Sequence, residues 1–299
     1  MLKTESPSQA HARLDQYPVS ELVATLVDDQ FNAVAAVRAC APQIAAVISA
    51  ALPRINAGGR LVYVGAGTSG RLGVLDSVEL YPTFSWPHER AIALLAGGRD
   101  AMFDAVEGAE DNRVQGALDM QALHVGPNDV VILLAASGAT PYVLGALGQA
   151  RAGGALTVGI ANNSGSELAQ LADIGITLDT AEEVISGSTR LKAGTAQKIC
   201  LNTISSALMV RLNKVYGNLM VDLQASNAKL VLRAVQLTMH ASGVDEALAR
   251  STLDECHFHV KLAIVVLLKH ATIAEARALL ARANGSVRLA LEPGPGPGL

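Results

Sequence analysis

Aromatic side chains are scarce in this 299-residue chain: tryptophan, tyrosine and phenylalanine make up 3% of the residues, although half of all residues are hydrophobic. Alanine, leucine and valine supply most of the apolar surface, and this composition suits helices packed on a parallel sheet. The length allows one large domain, or one large and one small domain, with an ample core.

Three further features are missing: a block of basic residues, a cysteine framework and a long apolar run. The formal net charge of −4 argues against nucleic acid as a partner. Cys40, Cys200 and Cys256 are odd in number and form no CxxC motif, which favours a reducing cytoplasm over disulfides or a zinc cluster. The apolar runs fall short of the roughly 18 residues of a membrane span, and the N-terminus lacks a signal-peptide pattern. We therefore expect a cytoplasmic protein without a membrane partner.

Short apolar runs bounded by glycine, proline or aspartate indicate a sheet that is buried on both faces. Helical patterns connect them, so the sequence predicts right-handed parallel crossovers. The expected fold is α/β, a three-layer αβα sandwich with a mostly parallel five-stranded sheet. The predicted strands are Leu61–Val64, Ala91–Leu95, Val130–Leu134, Leu156–Ile160 and Ile174–Leu178.

Around this sheet the chain divides into four predicted regions. Residues 1–52 form an N-terminal helical region that packs on the core, with residues 1–18 loosely ordered. Residues 53–242 form the sheet domain and end in two long helices. Residues 243–292 form a small helical subdomain, and the Pro-Gly stretch over residues 293–299 is a flexible tail.

The glycine-rich stretch Gly65–Arg71, with the sequence GAGTSGR, follows the first apolar run and opens a helical segment. Its glycines fit the GxGxxG pattern of dinucleotide sites, where backbone N–H groups hold a pyrophosphate at a helix N-terminus. Such a site also needs an acidic residue after the second strand, and here that strand is followed by Ala96–Gly98. Gly67, with the hydroxyls of Thr68 and Ser69, instead favours a phosphate. An unliganded turn and a dinucleotide are the alternatives.

Hydroxyl groups also follow the third apolar run, in the segment Ala135–Pro141. Pro141 suits the first turn of a helix, and Ser137 and Thr140 would cap that helix or bind phosphate oxygens beside it. Both hydroxyl-rich turns follow parallel strands, so they meet at the carboxyl edge of the sheet, where open α/β sheets bind ligands. The sequence therefore predicts one ligand that contacts both turns.

The densest group of hydroxyls and cations lies in Glu183–Lys198, at the start of a long predicted helix. Ser188, Thr189 and Lys192 are candidates to hold a phosphate or carboxylate through charge-assisted hydrogen bonds. A capped, solvated helix start is the alternative interpretation.

Two carboxylates, Glu79 and Glu110, follow early strands and are candidates for acid–base chemistry. Removing a C–H proton beside a carbonyl and protonating a leaving oxygen needs two such groups with separated pKa values. Glu107 and Asp111 are close enough in sequence to compete with Glu110.

Metal ligands are the last group of candidates. His257 and His259, near Glu255 and Cys256, are two residues apart, a spacing that would splay them on a helix. No second pair of ligands accompanies them. We therefore expect a solvated surface there, with no metal.

Taken together, the motifs resemble the N-acetylmuramic acid 6-phosphate etherase family, which has the sugar isomerase (SIS) fold. The similarity covers most of residues 14–270. The glucokinase regulatory protein, a sugar-phosphate-sensing binder without catalytic activity, shares the signature around Ser188–Lys198. The matching segments are Gly58–Asp76, Pro82–Phe84, Ala96–Gly98, Val106–Asn112, Ala136–Gly138, Thr140–Tyr142, Ser186–Lys198 and Gly217–Asp222.

The resemblance implies a lyase that acts on a phosphosugar. It would cleave the C3 lactyl ether of N-acetylmuramic acid 6-phosphate, by elimination on the open-chain sugar and addition of water, to N-acetylglucosamine 6-phosphate and D-lactate. Because the aldehyde of the open-chain sugar acidifies the C2 proton, this reaction would need no cofactor. The family's principal acid–base glutamate falls on Glu79, which we assign to protonating the lactyl oxygen. The second glutamate falls on Glu110, assigned to removing the C2 proton. Ser69, Ser137 and Thr140 would contact the phosphate, and a homodimer is expected.

The sequence also departs from the family pattern. Val78 and Leu80-Tyr81 differ around Glu79, and Ala181-Glu182 differ just before Glu183. A non-catalytic sugar-phosphate sensor and an aldose–ketose isomerase on the same fold are the alternative functions. Retention of both candidate glutamates favours the etherase.

Overall fold

A computed structural model of the chain describes residues 2–292, so the predicted Pro-Gly tail lies outside the described residues. The elements are α1 (Val19–Asp28), α2 (Phe31–Ala39), α3 (Ala41–Asn56), β1 (Leu61–Gly65), α4 (Gly67–Phe84), β2 (Ala91–Leu95), α5 (Arg113–Ala122), β3 (Val130–Leu134), α6 (Pro141–Ala152), β4 (Leu156–Ala161), α7 (Glu167–Leu171), β5 (Ile174–Thr177), α8 (Lys192–Arg211), α9 (Ala228–Ser242), α10 (Glu246–Glu255), α11 (Val260–Lys269), α12 (Ile273–Arg282) and α13 (Val287–Leu291).

The five predicted strands form one parallel sheet in the order β2-β1-β3-β4-β5. Strand β1 lies between β2 and β3, with Leu61 in register with both Ala91 and Val130. Strands β1, β3 and β4 are buried along their whole length because helices cover both faces of the sheet. The predicted α/β sandwich is confirmed, and each strand ends within one residue of its predicted bounds.

Contacts between Cα atoms divide the chain into two compact units. The first unit comprises Met1–Val78 and His88–Ser206, and the second comprises Glu79–Pro87 and the residues from Ala207 onward. This division separates clusters of contacts and does not show which segments fold on their own. The boundaries expected from the sequence at residues 52, 242 and 292 therefore stay predictions.

In the first unit, a buried aspartate ties the sheet to two helices. Asp76 of α4 accepts hydrogen bonds from Tyr63 Oη of β1 at 2.8 Å and from Asn202 Nδ2 of α8 at 2.6 Å. Burial, together with the neighbouring Asp76, raises the pKa of Tyr63 well above its ordinary value. The phenol therefore stays protonated and keeps donating, which fixes α4, and with it the turn that precedes α4, against the sheet.

The second unit is helical within the described residues and has its own apolar core. Leu253 of α10 and Val260, Ala263 and Ile264 of α11 are buried at its centre. Side chains at several helix starts accept hydrogen bonds from backbone N–H groups, including Thr272, which forms a capping box with Glu275. Asp222 Oδ2 pairs with Lys214 Nζ at 2.9 Å and Lys261 Nζ at 2.7 Å.

The N-terminal residues differ from the prediction of loose order. Thr4 is fully buried, and short 3-10 turns form at Lys3–Glu5 and Leu14–Gln16. These residues are held in place by hydrogen bonds to residues more than 150 positions away, which a local sequence pattern does not predict.

One observation bears on membranes. Along residues 2–292, single helices are too short or too polar to cross a bilayer, although Val19–Ala39 and Ala41–Asn56, bent by 53° at their junction, pass as a pair by length and composition.

Candidate active site

The turn between β1 and α4 brings strand and helix backbones into close contact. A β-carbon on Gly65 would lie 2.6 Å from the backbone nitrogen of Gly70, and one on Gly70 would lie 2.6 Å from the carbonyl oxygen of Gly65. These two glycines are therefore required for packing rather than for a ligand. Gly67, Thr68 and Ser69 form the open side of the turn, at the helix N-terminus, where the first backbone N–H groups have no partner within the helix.

A second helix N-terminus lies at the end of β3. Thr140 occupies the N-cap position of α6, but its side chain caps no backbone N–H group. Ser137 Oγ accepts a hydrogen bond from the N–H of Ala139 at 3.2 Å. Both hydroxyls line the same cavity as the β1–α4 turn, as expected for turns that follow adjacent parallel strands.

The segment that precedes α8 contributes less to this cavity than the sequence suggested. Gly187 and Thr189 line the cavity, whereas Ser188 and Lys192 do not. Lys192 is 2% exposed, and its ammonium group pairs with Asp29 Oδ1 at 2.7 Å and donates to the carbonyl of Glu182. The ammonium group of Lys192, which the sequence suggested as a phosphate ligand, is thus already paired within the protein.

A buried carboxylate shapes the same segment. Glu183 accepts hydrogen bonds from the backbone N–H groups of Lys192 and Ala193, at 3.2 and 2.9 Å, and so caps α8. Burial raises the pKa of Glu183, and these hydrogen bonds oppose the rise only in part. Sequence reasoning noted Glu183 only as the first residue of the motif and did not predict this capping role.

The cavity has a volume of about 430 Å³ and lies at the carboxyl edge of the sheet. Its hydroxyl groups come from Thr68, Ser69, Ser137, Thr140 and Thr189. Three carboxylates, those of Glu5, Glu110 and Asp111, also line it, whereas none of the described lining residues is basic. Glu5 was missed by the sequence reasoning because it belongs to the segment predicted to be loosely ordered.

The two candidate acid–base residues lie on different elements. Glu110 is exposed on a short 3-10 turn, Ala109–Asp111, and borders the cavity. Glu79 is exposed in the second half of α4 and is not one of the lining residues. Glu110 thus borders the cavity of the first unit, whereas Glu79 begins the part of α4 that the contacts assign to the second unit.

The histidines near the end of α10 lie elsewhere. His257 and His259 border a different cavity, of about 310 Å³, in the second unit. Across residues 2–292, clusters of three or more histidine, cysteine, aspartate or glutamate side chains suited to a metal ion do not occur.

Comparison with known proteins gives two matches to family models. Residues 43–151 match the N-terminal SIS domain of the glucokinase regulatory protein, and residues 112–205 match the SIS domain. A solved structure from Bacteroides fragilis, assigned to the phosphosugar isomerases, superposes with a TM-score of 0.50 at 18% identity. It covers 65% of this chain and 91% of that chain, which supports the fold alone.

Several relatives match over nearly the whole chain. One, from Deinococcus radiodurans, is 57% identical over 292 residues, which are 98% of this chain and 96% of the relative. Another, from Rubrobacter xylanophilus, is 50% identical over 296 residues, covering 99% and 98%. Both carry the name N-acetylmuramic acid 6-phosphate etherase.

Proposed function

The chain belongs to the N-acetylmuramic acid 6-phosphate etherase family, and on that basis we propose that it cleaves the C3 lactyl ether of N-acetylmuramic acid 6-phosphate. The products are N-acetylglucosamine 6-phosphate and D-lactate, and the role is recycling of cell-wall amino sugars. The observation that carries the proposal is the convergence of two hydroxyl-bearing helix N-termini and the Glu110 carboxylate on one cavity.

Phosphate binding is assigned to the two turns at the carboxyl edge. Gly67, Thr68 and Ser69 offer backbone N–H groups and hydroxyls at the start of α4, and Ser137 and Thr140 offer hydroxyls beside α6. A helix N-terminus stabilises an anion through its partial positive charge and its free N–H groups. Thr189 is a further contact, while the geometry gives no support to direct binding by Ser188 or Lys192.

The chemistry requires one base and one acid. The Glu110 carboxylate removes the proton from C2, which the aldehyde of the open-chain sugar makes acidic, and the C3–O bond breaks to leave a double bond between C2 and C3. Glu79 does not line this cavity, and its assignment as the acid rests on the family resemblance: it donates a proton to the departing lactyl oxygen. Water then adds at C3 with help from Glu79, and Glu110 returns the proton to C2, so that both residues end in their starting states.

We also propose that the protein acts as a homodimer. Leu75 and Val78 of α4 and Phe103 are between 42% and 82% exposed, and Val78 and Phe103 line an apolar groove beside the edge strand β2. Large exposed apolar surfaces of this kind favour association with another chain. Sedimentation equilibrium tests this, and a monomer at micromolar concentration would contradict it.

The cytoplasm is the proposed location. Cys40, Cys200 and Cys256 are all free and buried, as suits proteins of reducing compartments. Burial raises the pKa of Cys200 to about 12, so this thiol stays protonated and unreactive at neutral pH.

The alternatives are a non-catalytic sensor and an aldose–ketose isomerase. Neither is favoured, since relatives named as etherases match along nearly the full chain. The three functions differ in the product: the etherase releases lactate, the isomerase rearranges the sugar without releasing anything, and the sensor leaves the sugar unchanged.

The deciding experiment incubates the purified protein with N-acetylmuramic acid 6-phosphate and assays D-lactate enzymatically. In deuterated water, deuterium should appear at C2 of the product. Glu110→Gln and Glu79→Gln should each slow release by about a hundredfold or more, the usual contribution of an acid–base group, while phosphosugar binding persists. Glu107→Gln, an exposed neighbour, is the control. Well-folded protein that releases no lactate would refute the proposal.

A further inference from the structure

The N-terminal segment Lys3–Ser6 places the side chain of Glu5 at the candidate active site. Thr4 is fully buried, and its N–H group donates to Asn163 Oδ1 at 3.4 Å. Asn163 Nδ2 in turn donates to Thr4 Oγ1 and to the carbonyl of Ala136, both at 2.9 Å. Because Ala136 directly precedes Ser137, the N-terminal segment is tied to the turn that we assign to phosphate binding.

A second set of hydrogen bonds fixes the same segment from the other side. The N–H of Gly187 donates to the carbonyl of Thr4 at 3.1 Å, and Ser186 Oγ donates to the carbonyl of Glu5 at 3.2 Å. The backbone on which the Glu5 side chain stands is thereby positioned between the β3–α6 turn and the segment that precedes α8. The Glu5 side chain itself lines the cavity.

The carboxylate of Glu5 lies directly beside Gly187. A β-carbon on Gly187 would be 3.0 Å from Glu5 Oε2, and the φ angle of Gly187 is +76°, a conformation that side chains rarely adopt. Position 187 thus leaves room for the carboxylate at the cavity wall. Because the proposed ligand is a negatively charged phosphosugar, any role for the Glu5 carboxylate must involve a part of the ligand that does not repel it.

On the proposed function, the substrate carries two anionic groups, the phosphate and the lactyl carboxylate. An ionised carboxylate accepts hydrogen bonds and donates none, and its negative charge repels other anions. An ionised Glu5 would therefore be repelled by both of these groups. The remaining polar groups of an open-chain sugar are neutral, and its hydroxyls are hydrogen-bond donors. A carboxylate is a strong acceptor for such hydroxyls because the hydrogen bond is charge-assisted.

We propose that Glu5 is a substrate-binding residue of the site, which accepts a hydrogen bond from a hydroxyl group of the phosphosugar. This inference rests on the proposed function. Bound in this way, Glu5 holds the sugar chain in the cavity that the phosphate-binding turns and Glu110 share, and it selects a polyhydroxylated ligand over a bare phosphate. The N-terminal segment is then part of the active site.

The test compares two ligands in the intact protein: N-acetylglucosamine 6-phosphate, which has hydroxyls, and inorganic phosphate, which has no sugar chain. Glu5→Gln should weaken binding of the sugar phosphate by about tenfold or more, the size of a lost hydrogen bond to a charged group, and Glu5→Ala by at least as much. Inorganic phosphate should bind as well as before or better, since a repelling charge is gone. KM for the etherase substrate should rise in parallel with the dissociation constant of the sugar phosphate.

Lys3→Gln is the matched control, because Lys3 lies on the same segment but its ammonium group pairs with Asp179 at the surface. It should leave both affinities unchanged. Unchanged or tighter binding of the sugar phosphate by Glu5→Gln would overturn the inference, as would a parallel loss for both ligands, which indicates a damaged cavity. If the wild type releases lactate and the Glu5 variants bind both ligands as tightly as the wild type does, only the role of Glu5 is rejected. Wild-type protein that releases no lactate would reject the proposed function itself.

Discussion

Lys192 Nζ lies 2.7 Å from Asp29 Oδ1, and the two side chains are only 3% and 11% exposed. The pair connects the start of α8 to the corner between α1 and α2. The other carboxylate oxygen, Asp29 Oδ2, is buried without a hydrogen-bond partner, so Lys192 is the main compensation for this charge. Two residues 163 positions apart in sequence are thus energetically coupled.

Lys192→Met should therefore destabilise the fold rather than weaken phosphate binding. It leaves the carboxylate of Asp29 buried without a cation, and breaking a buried pair in this way costs about 3–5 kcal/mol. The free energy of unfolding, measured in urea, checks the effect, with exposed Lys198→Met on the same helix as control. Normal stability combined with lost phosphosugar affinity would instead show that Lys192 binds the substrate.

Gly65→Ala should disrupt the turn between β1 and α4. The added β-carbon would lie 2.6 Å from the backbone nitrogen of Gly70, which cannot move without separating the strand from the helix. We expect a loss of about 1–3 kcal/mol or more in unfolding free energy and weaker phosphate binding. Gly148→Ala on α6 is the matched control, because nothing lies within 4 Å of its β-carbon position. It should gain about 0.5–1 kcal/mol, and equal effects of the two substitutions would contradict the packing argument.

Thr140→Ala should lower affinity with little change in stability. The Thr140 side chain caps no backbone N–H of α6, so its hydroxyl is free for the ligand. Losing a hydrogen bond to a phosphate should weaken phosphosugar binding by about tenfold or more, measured by calorimetry. Thr272→Ala should show the reverse, with intact affinity and a loss of about 1 kcal/mol, because Thr272 belongs to a capping box. A stability loss for Thr140→Ala as large as for Thr272→Ala would indicate a capping role.

Protonation of Asp129 at low pH should make the fold less stable. Burial alone raises the pKa of Asp129, but hydrogen bonds from Arg60 and from the N–H groups of Gly126 and Arg60 outweigh it and hold the pKa below 3.8, its ordinary value. The folded state therefore favours the carboxylate. This stabilisation is present above the ordinary pKa and disappears as the pH falls through the lower folded value.

The measurement for Asp129 is the unfolding free energy as a function of pH, from about pH 7 down to about pH 2. Asp129→Asn should be less stable at neutral pH and should lose less stability on acidification than the wild type. Parallel curves for the two proteins would mean that Asp129 contributes nothing to the acid sensitivity.

The fold was accessible from sequence because it depends on local patterns. Continuous apolar runs such as Val130–Leu134 are stable only where helices cover both faces of a sheet, and helical connections between such runs require parallel strands. The two hydroxyl-rich turns were also predictable, since turns after parallel strands meet at one edge. Their convergence on one cavity is what the structure shows.

Polar groups were harder to assign, as Lys192 and Glu5 show. A lysine beside serines and threonines at a helix start has the same sequence signature whether it binds a ligand or a buried aspartate. Which partner it meets depends on chain segments more than a hundred residues away. Glu5 lies in a polar segment without periodicity, which resembles a disordered terminus until Asn163 and Gly187 supply its hydrogen bonds.

The sequence by itself determined the parallel sheet, the helices that cover it and the two hydroxyl-rich turns, because apolar periodicity and turn residues act over a few positions along the chain. Only the tertiary structure decided which charged groups reach the cavity. It pairs Lys192 with Asp29 and places Glu5 at the cavity wall, because the long-range packing of the chain determines whether a charge is compensated within the protein or directed towards a ligand.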